Sequence, residues 1–132
     1  MILVDTSSWI HFLRPQGDPE VRSRVDAALR AGQACWCPPV QLELWNGARG
    51  AQEHRVLRHF ARTLPEVPID EGVWQAAYDL ARRARARGVS EANLTQRVTA
   101  PAADVLIAAC ARRHGASLEY ADSDFDLLEP VE

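Results

Sequence analysis

Five acidic residues stand where a carboxylate is not needed for solubility. Asp5 ends the apolar run Met1-Ile2-Leu3-Val4, Glu43 lies between Leu42 and Leu44, Asp104 opens the apolar stretch Val105 to Ala111, and Asp122 and Asp124 follow Ser117 to Tyr120 in a polar turn. Taken singly, each has an ordinary reading. Asp5 can accept hydrogen bonds from the turn after a strand, Asp104 can offset a helix dipole, Glu43 can face solvent, and Asp122 and Asp124 are common turn formers. The conjunction points elsewhere, because carboxylates gathered at one sheet edge repel one another unless they are protonated or neutralised by a cation. No lysine is present to do this: all 15 basic residues are arginine. Hard oxygen donors select Mg²⁺ or Mn²⁺, and a bound divalent ion lowers the pKa of its water and stabilises charge on phosphoryl oxygens, which is what phosphodiester hydrolysis requires.

The elements that must position these acids alternate strand and helix. Met1 to Val4 is continuously apolar, the pattern of a strand buried on both faces of a parallel sheet. Thr6, Ser7 and Ser8 offer capping hydroxyls to a short helix through Leu13. Asp18-Pro19-Glu20 reads as N-cap, first-position proline and first-turn acid of a helix to about Arg30, closed by Gly32. Ala34 to Cys37 is a short strand candidate stopped by Pro38-Pro39, followed by helices over Val40–Ala48 and Glu53–Leu64. Asp70 caps a long helix, with Val73, Trp74, Ala77, Leu80, Ala81 and Ala84 at three- and four-residue intervals, that carries Arg82, Arg83, Arg85 and Arg87 at its end and stops at Gly88. Val89 to Val98 is polar and unassigned, a helix opens after Pro101 and closes at Gly115, and Ser117 to Tyr120 is a last central strand. The expectation is an α/β fold of one domain over residues 1–132, with a central parallel β-sheet flanked by α-helices. Such sheets place their functional site outside the strands' carboxyl ends, where Asp5 and the Asp122 to Asp126 turn would fall.

Composition narrows the chemistry further. At 132 residues with 47% hydrophobic and 25% charged residues, the chain can bury a core without disulfides or a structural metal. The absence of lysine excludes P-loop nucleotide binding, Schiff-base chemistry and protein kinase activity. A net charge of -3 argues, by itself, against nucleic acid as a partner. Setting the five candidate site acids aside reverses that balance and leaves an excess of arginines, which suit bidentate phosphate contacts. Cys35, Cys37 and Cys110 match no zinc or redox spacing and read as reduced, buried thiols. No apolar stretch approaches the length of a membrane span and no signal segment opens the chain, so a soluble, cytoplasmic protein is expected. The four tryptophans fall on apolar stripes and read as core or dimer packing, the scattered histidines as surface or packing residues, and the arginine run as a solvated helix end.

Four segments in order, Ile2-Leu3-Val4-Asp5-Thr6-Ser7-Ser8-Trp9-Ile10, Glu43-Leu44-Trp45-Asn46-Gly47-Ala48-Arg49, Ala103-Asp104-Val105-Leu106-Ile107-Ala108-Ala109 and Asp122-Ser123-Asp124-Phe125, resemble a PIN domain, most closely the VapC-type toxins of bacterial toxin-antitoxin pairs. The resemblance spans nearly the whole chain. It implies a PIN-like fold and a Mg²⁺-dependent endoribonuclease with Mn²⁺ as a possible substitute. It also implies a homodimer held inactive by a VapB-type antitoxin. Carried over by position, Asp5, Glu43 and Asp104 are metal ligands, and either Asp122 or Asp124, with Asp122 favoured, is the fourth acid. Thr6 and Ser7 resemble hydroxyls that orient the first aspartate or bind metal-coordinated water. Arg49 takes the place of a basic residue that contacts RNA phosphate or pairs with an acid. Two features depart from the pattern: Ser90 to Val98 is long for the connection before the third acid, and Asn46 replaces a basic or apolar residue. A haloacid-dehalogenase-like phosphatase also begins with a strand ending in Asp, but Asp5-Thr6-Ser7 lacks its second aspartate and the chain lacks its lysine. A PIN module that has lost catalysis and only binds protein or RNA is the other competitor.

Overall fold

The computed structural model describes residues 1–92 and 101–121. Three parallel strands, β1 (Ile2–Val4), β2 (Ala34–Cys35) and β3 (Ser117–Glu119), form a sheet in the order β2-β1-β3. The central place of β1 follows from its composition: Leu3 and Val4 are fully buried, which only a strand covered on both faces permits. In register, Leu3 lies opposite Cys35 on one side and Leu118 on the other, and Val4 lies opposite Glu119. Helices α1 (Thr6–Leu13), α2 (Pro19–Arg30), α3 (Pro38–Gly47), α4 (Gly50–Thr63), α5 (Glu71–Ala92) and α6 (Ala102–Arg113) complete the described fold. Trp9, Trp36 and Phe60 meet in the core, with ring centroids 4.9 Å apart for Trp9 and Phe60 and 6.0 Å for Trp36 and Phe60.

Several boundaries depart from expectation for local reasons. Thr6, Ser7 and Ser8 do not cap α1; Asp5 is its N-cap, and the three hydroxyl residues occupy its first turn. Pro38 and Pro39 do not merely stop β2 but begin α3, where a missing N–H would have been unpaired anyway. Sheet pairing ends at Cys35, and Trp36 instead bridges to Glu66. Helix α4 starts at Gly50 because Glu53 reaches back to accept the backbone N–H of Arg49 (2.7 Å), which places Glu53 in the first turn rather than at its start. Helix α5 continues past Gly88 to Ala92, since one helical glycine costs only about 1 kcal/mol relative to alanine. The caps at Asp18 and Asp70 are as the spacing predicts, accepting from Glu20 N (2.8 Å) and Val73 N (2.9 Å). Trp9 and Trp36 are core residues, whereas Trp45 and Trp74 are 38% and 44% exposed on the surface.

Candidate active site

Asp5 is both the residue after β1 and the cap of α1, so its backbone is fixed from two sides. Its N–H donates to the Glu119 carbonyl (2.8 Å) and its carbonyl accepts from Trp9 N (3.1 Å). The carboxylate is only 2% exposed. Oδ2 accepts from the Ser7 backbone N–H (3.0 Å) and the Ser7 hydroxyl (2.7 Å), while Oδ1 is buried without a hydrogen-bond partner among the described residues. Burial pushes the Asp5 carboxyl above the usual range; the Ser7 bonds oppose this, and the negative charge of Glu43 adds a smaller push upward.

The first turn of α1 does more than cap. Successive helical residues point about 100° apart, so three consecutive hydroxyls fan toward α3, the helix's own cap and β3. Thr6 Oγ1 donates to Glu43 Oε1 on α3 (2.6 Å), Ser7 Oγ to Asp5, and Ser8 Oγ to Glu119 Oε2 on β3 (3.0 Å). Ser7 Oγ also accepts the backbone N–H of Ala121 (3.0 Å), the residue before Asp122. The far end of α1 is tied to the same neighbour as Glu43: the Arg14 guanidinium donates to the Gly47 carbonyl (3.2 Å) at the end of α3 and pairs with Glu53 (3.4 Å). Together these contacts hold Glu43, on an exposed stretch of α3, facing the end of β1.

Asp104 is buried at 8% exposure in the first turn of α6, where its charge also suits the helix dipole. Asp122 and Asp124 lie outside the described residues. Among the described residues no group of three or more His, Cys, Asp or Glu side chains is drawn close enough to hold a metal ion. What the structure brings together from the predicted set is Asp5, Thr6, Ser7 and Glu43. Arg49 is exposed at the start of α4 with its N–H on Glu53. The three cysteines are buried and free; burial lifts Cys35 to about 11, and a hydrogen bond with Cys110 together with burial lifts Cys37 further, so neither supplies a thiolate.

Three residues of this constellation were not singled out from sequence as site residues: Ser8, Glu119 and Arg24. Arg24 Nε donates to Glu119 Oε1 (2.9 Å), and its terminal nitrogen to Oε2 (3.3 Å). A glutamate within a short strand of a covered sheet, and a third hydroxyl following Thr6 and Ser7, were the available signals.

The donor set fits a hard divalent cation. It is entirely oxygen, and it contains one buried carboxylate oxygen, Asp5 Oδ1, that no donor among the described residues satisfies. The PIN domain family model matches residues 2–129, and the chain belongs to that family. Its relatives are of the VapC type. It is 32% identical over 133 residues to VapC ribonuclease Mb1587 of Mycobacterium bovis, covering 99% of this chain and 93% of that protein, and equally to ribonuclease VapC11 of Mycobacterium tuberculosis. Among solved structures, FitAB bound to an IR36 DNA fragment superposes with a TM-score of 0.69 at 23% identity, covering 97% of this chain and 88% of that one. VapBC2 from Rickettsia felis, bound to a promoter DNA fragment, gives 0.58 at 15% identity, covering 89% and 85%.

Proposed function

We propose that the protein is a Mg²⁺-dependent endoribonuclease, the toxin component of a type II toxin-antitoxin system, hydrolysing RNA phosphodiester bonds at a four-carboxylate site. The observation that carries this reading is the buried Asp5 Oδ1, without a donor among the described residues and in the field of Glu43, in a chain whose relatives are of the VapC type. Asp5, Glu43 and Asp104 would hold the ion, with Asp122 as fourth ligand and Asp124 as its alternative. A bound Mg²⁺, or Mn²⁺ in its place, supplies a water of lowered pKa and charge stabilisation at the phosphoryl oxygens. The protein's own part is positional. Ser7 fixes the plane of the Asp5 carboxylate and leaves Oδ1 open, and Thr6 fixes the rotamer of Glu43 through a short charge-assisted bond. Held in this way, Asp5 and Glu43 would meet an ion without first reorganising, which is how preorganised sites save reaction free energy.

The partners in this reading are RNA as substrate, a VapB-type antitoxin as inhibitor and a second copy of the chain. The exposed Trp74 and Tyr78 on α5 support the homodimer, since large aromatics on a helix surface are characteristic of interface anchors. No helix among the described residues is long and apolar enough to cross a membrane; a cytoplasmic location belongs to the same proposal. The test is incubation of purified protein with structured RNA, with and without Mg²⁺ or Mn²⁺, beside Asp5→Asn. Metal-dependent cleavage that Asp5→Asn abolishes is expected. Cleavage that persists in chelator, or in the variant, would overturn the metal mechanism, and no cleavage of any RNA would favour a module that only binds.

A further inference from the structure

We propose that Glu119 is a positioning residue for the carboxylate site, clamping the end of β3 to the first turn of α1 through Ser8 and Arg24. The proposal rests on the nuclease reading for its consequence and on the clamp's geometry for its existence. β3 is three residues long, and among the described residues it pairs with β1 alone. Backbone pairing alone holds such a strand weakly. Its last residue instead takes three side-chain hydrogen bonds: Ser8 Oγ at 3.0 Å, Arg24 Nε at 2.9 Å and the Arg24 terminal nitrogen at 3.3 Å. Two are the parallel bonds of a bidentate guanidinium–carboxylate pair, which fixes orientation as well as distance. The Glu119 side chain is 14% exposed and Ser8 is fully buried, so the Ser8 bond is shielded, while Arg24, 49% exposed, closes the clamp from the solvent side. An apolar side chain would have cost less at this place in the sheet, because burying a charge is rarely the cheapest route to stability.

The reason to hold this strand end is its connection to Asp5. The Glu119 carbonyl accepts the Asp5 N–H, and two residues later Ala121 N–H occupies a lone pair of Ser7 Oγ. A serine hydroxyl has a single proton. With Ala121 donating to it, that proton is directed onto Asp5 Oδ2, and Oδ1 is the oxygen left uncovered. A shift of the β3 end would withdraw Ala121 from Ser7 and free the hydroxyl to rotate. Glu119 therefore acts on Asp5 through the chain it anchors.

The experiment compares Glu119→Gln, Arg24→Gln and the double variant with wild type. The readouts are kcat and KM on a labelled structured RNA, and the Mn²⁺ concentration that half-saturates the rise in melting temperature over the value in chelator. Glutamine keeps the shape and an acceptor for Ser8 but removes the charged fork. A roughly tenfold fall in kcat is expected, short of the ~100-fold that an ångström of misplacement can cost, with KM for RNA unchanged within about twofold. The Mn²⁺ half-saturation should rise severalfold in each single variant, and the double variant should be no worse than the stronger single. Unchanged half-saturation in Glu119→Gln, or single effects that multiply in the double variant, would overturn the clamp. If wild type cleaves no RNA, the nuclease reading fails while the Mn²⁺ comparison still decides the clamp; no Mn²⁺ response in wild type would overturn both.

Discussion

Replacing Asp5 by asparagine is expected to make the metal-free protein more stable while removing its function. In the folded state the ionised carboxylate gains two bonds from Ser7 at Oδ2, but Oδ1 is buried without a donor among the described residues, and the charge of Glu43 adds to the cost. An unsatisfied buried polar group costs about 1–3 kcal/mol, and more when charged. Asparagine can place its carbonyl oxygen where Oδ2 was, keeping both Ser7 bonds, and it puts a neutral amide where the orphan oxygen was. Its own amide is a new donor, which offsets part of the gain unless it reaches Glu43. The net change should be about 1–2 kcal/mol in favour of the variant at pH 7, or roughly 3–6 °C in melting temperature for a domain of this size. Because burial raises the folded-state pKa of Asp5 above its unfolded value, the wild type's disadvantage is present in full above the folded pKa. It fades as pH falls through that pKa toward the unfolded value near ~3.9, where Asp5 is protonated in both states. Thermal melts in chelator at pH 7 and at pH 4 measure this directly, and repeating them with Mn²⁺ should raise the wild type and leave Asp5→Asn unmoved. A variant that melts below wild type at pH 7, or a difference that is the same at both pH values, would refute the reasoning.

Thr6→Val removes the 2.6 Å bond to Glu43 without changing side-chain volume, and should lower RNA cleavage about tenfold, the worth of a hydrogen bond to a charged group, while moving the melting temperature little. Gly17→Ala should be destabilising by about 2 kcal/mol or more in a denaturant titration, because an added Cβ would lie 1.8 Å from the His11 carbonyl oxygen and neither is free to yield in the turn between α1 and α2. For the proposed homodimer, Trp74→Ser with Tyr78→Ser should lower the mass in light scattering at micromolar concentration from that of two chains to that of one, with the fold intact by circular dichroism; an unchanged two-chain mass would move the interface off α5, and a one-chain mass for wild type would refute the homodimer.

The order of elements was legible because the local signals agree with one another. An apolar tetrad ending at Asp5, an Asp-Pro-Glu start at Asp18 and a glycine at position 32 each have one cheap reading, and the structure uses it, with Gly32 at a φ of 68°. Boundaries were less legible where a side chain reaches out of its own segment. Nothing local to Gly50 marks a helix start until Glu53 is seen to bond Arg49, and Pro38-Pro39 is equally good as a stop and as a start. The site divides in the same way. Asp5 and Glu43 could be singled out because their types are costly where they stand, yet their meeting depends on Thr6, a contact across 37 residues that no periodicity encodes.

The hydroxyl triplet also explains why the cap and the site cannot be separated. An N-cap aspartate normally spends its carboxylate on the second or third N–H of its helix, and Asp5 does so, through Ser7 N. A cap alone needs only one oxygen. The other is buried by the tight passage from β1 into α1, with no intervening residue but Asp5 itself, and this passage also sets Thr6 and Ser8 toward α3 and β3. Lengthening that junction by a single residue would rotate the first turn by about 100° and draw Thr6 and Ser8 away from Glu43 and Glu119 at once. The brevity of the strand-to-helix step is thus a property of the site as much as of the fold, and it is the reason one turn of helix can orient its own cap and an acid on each of two other elements.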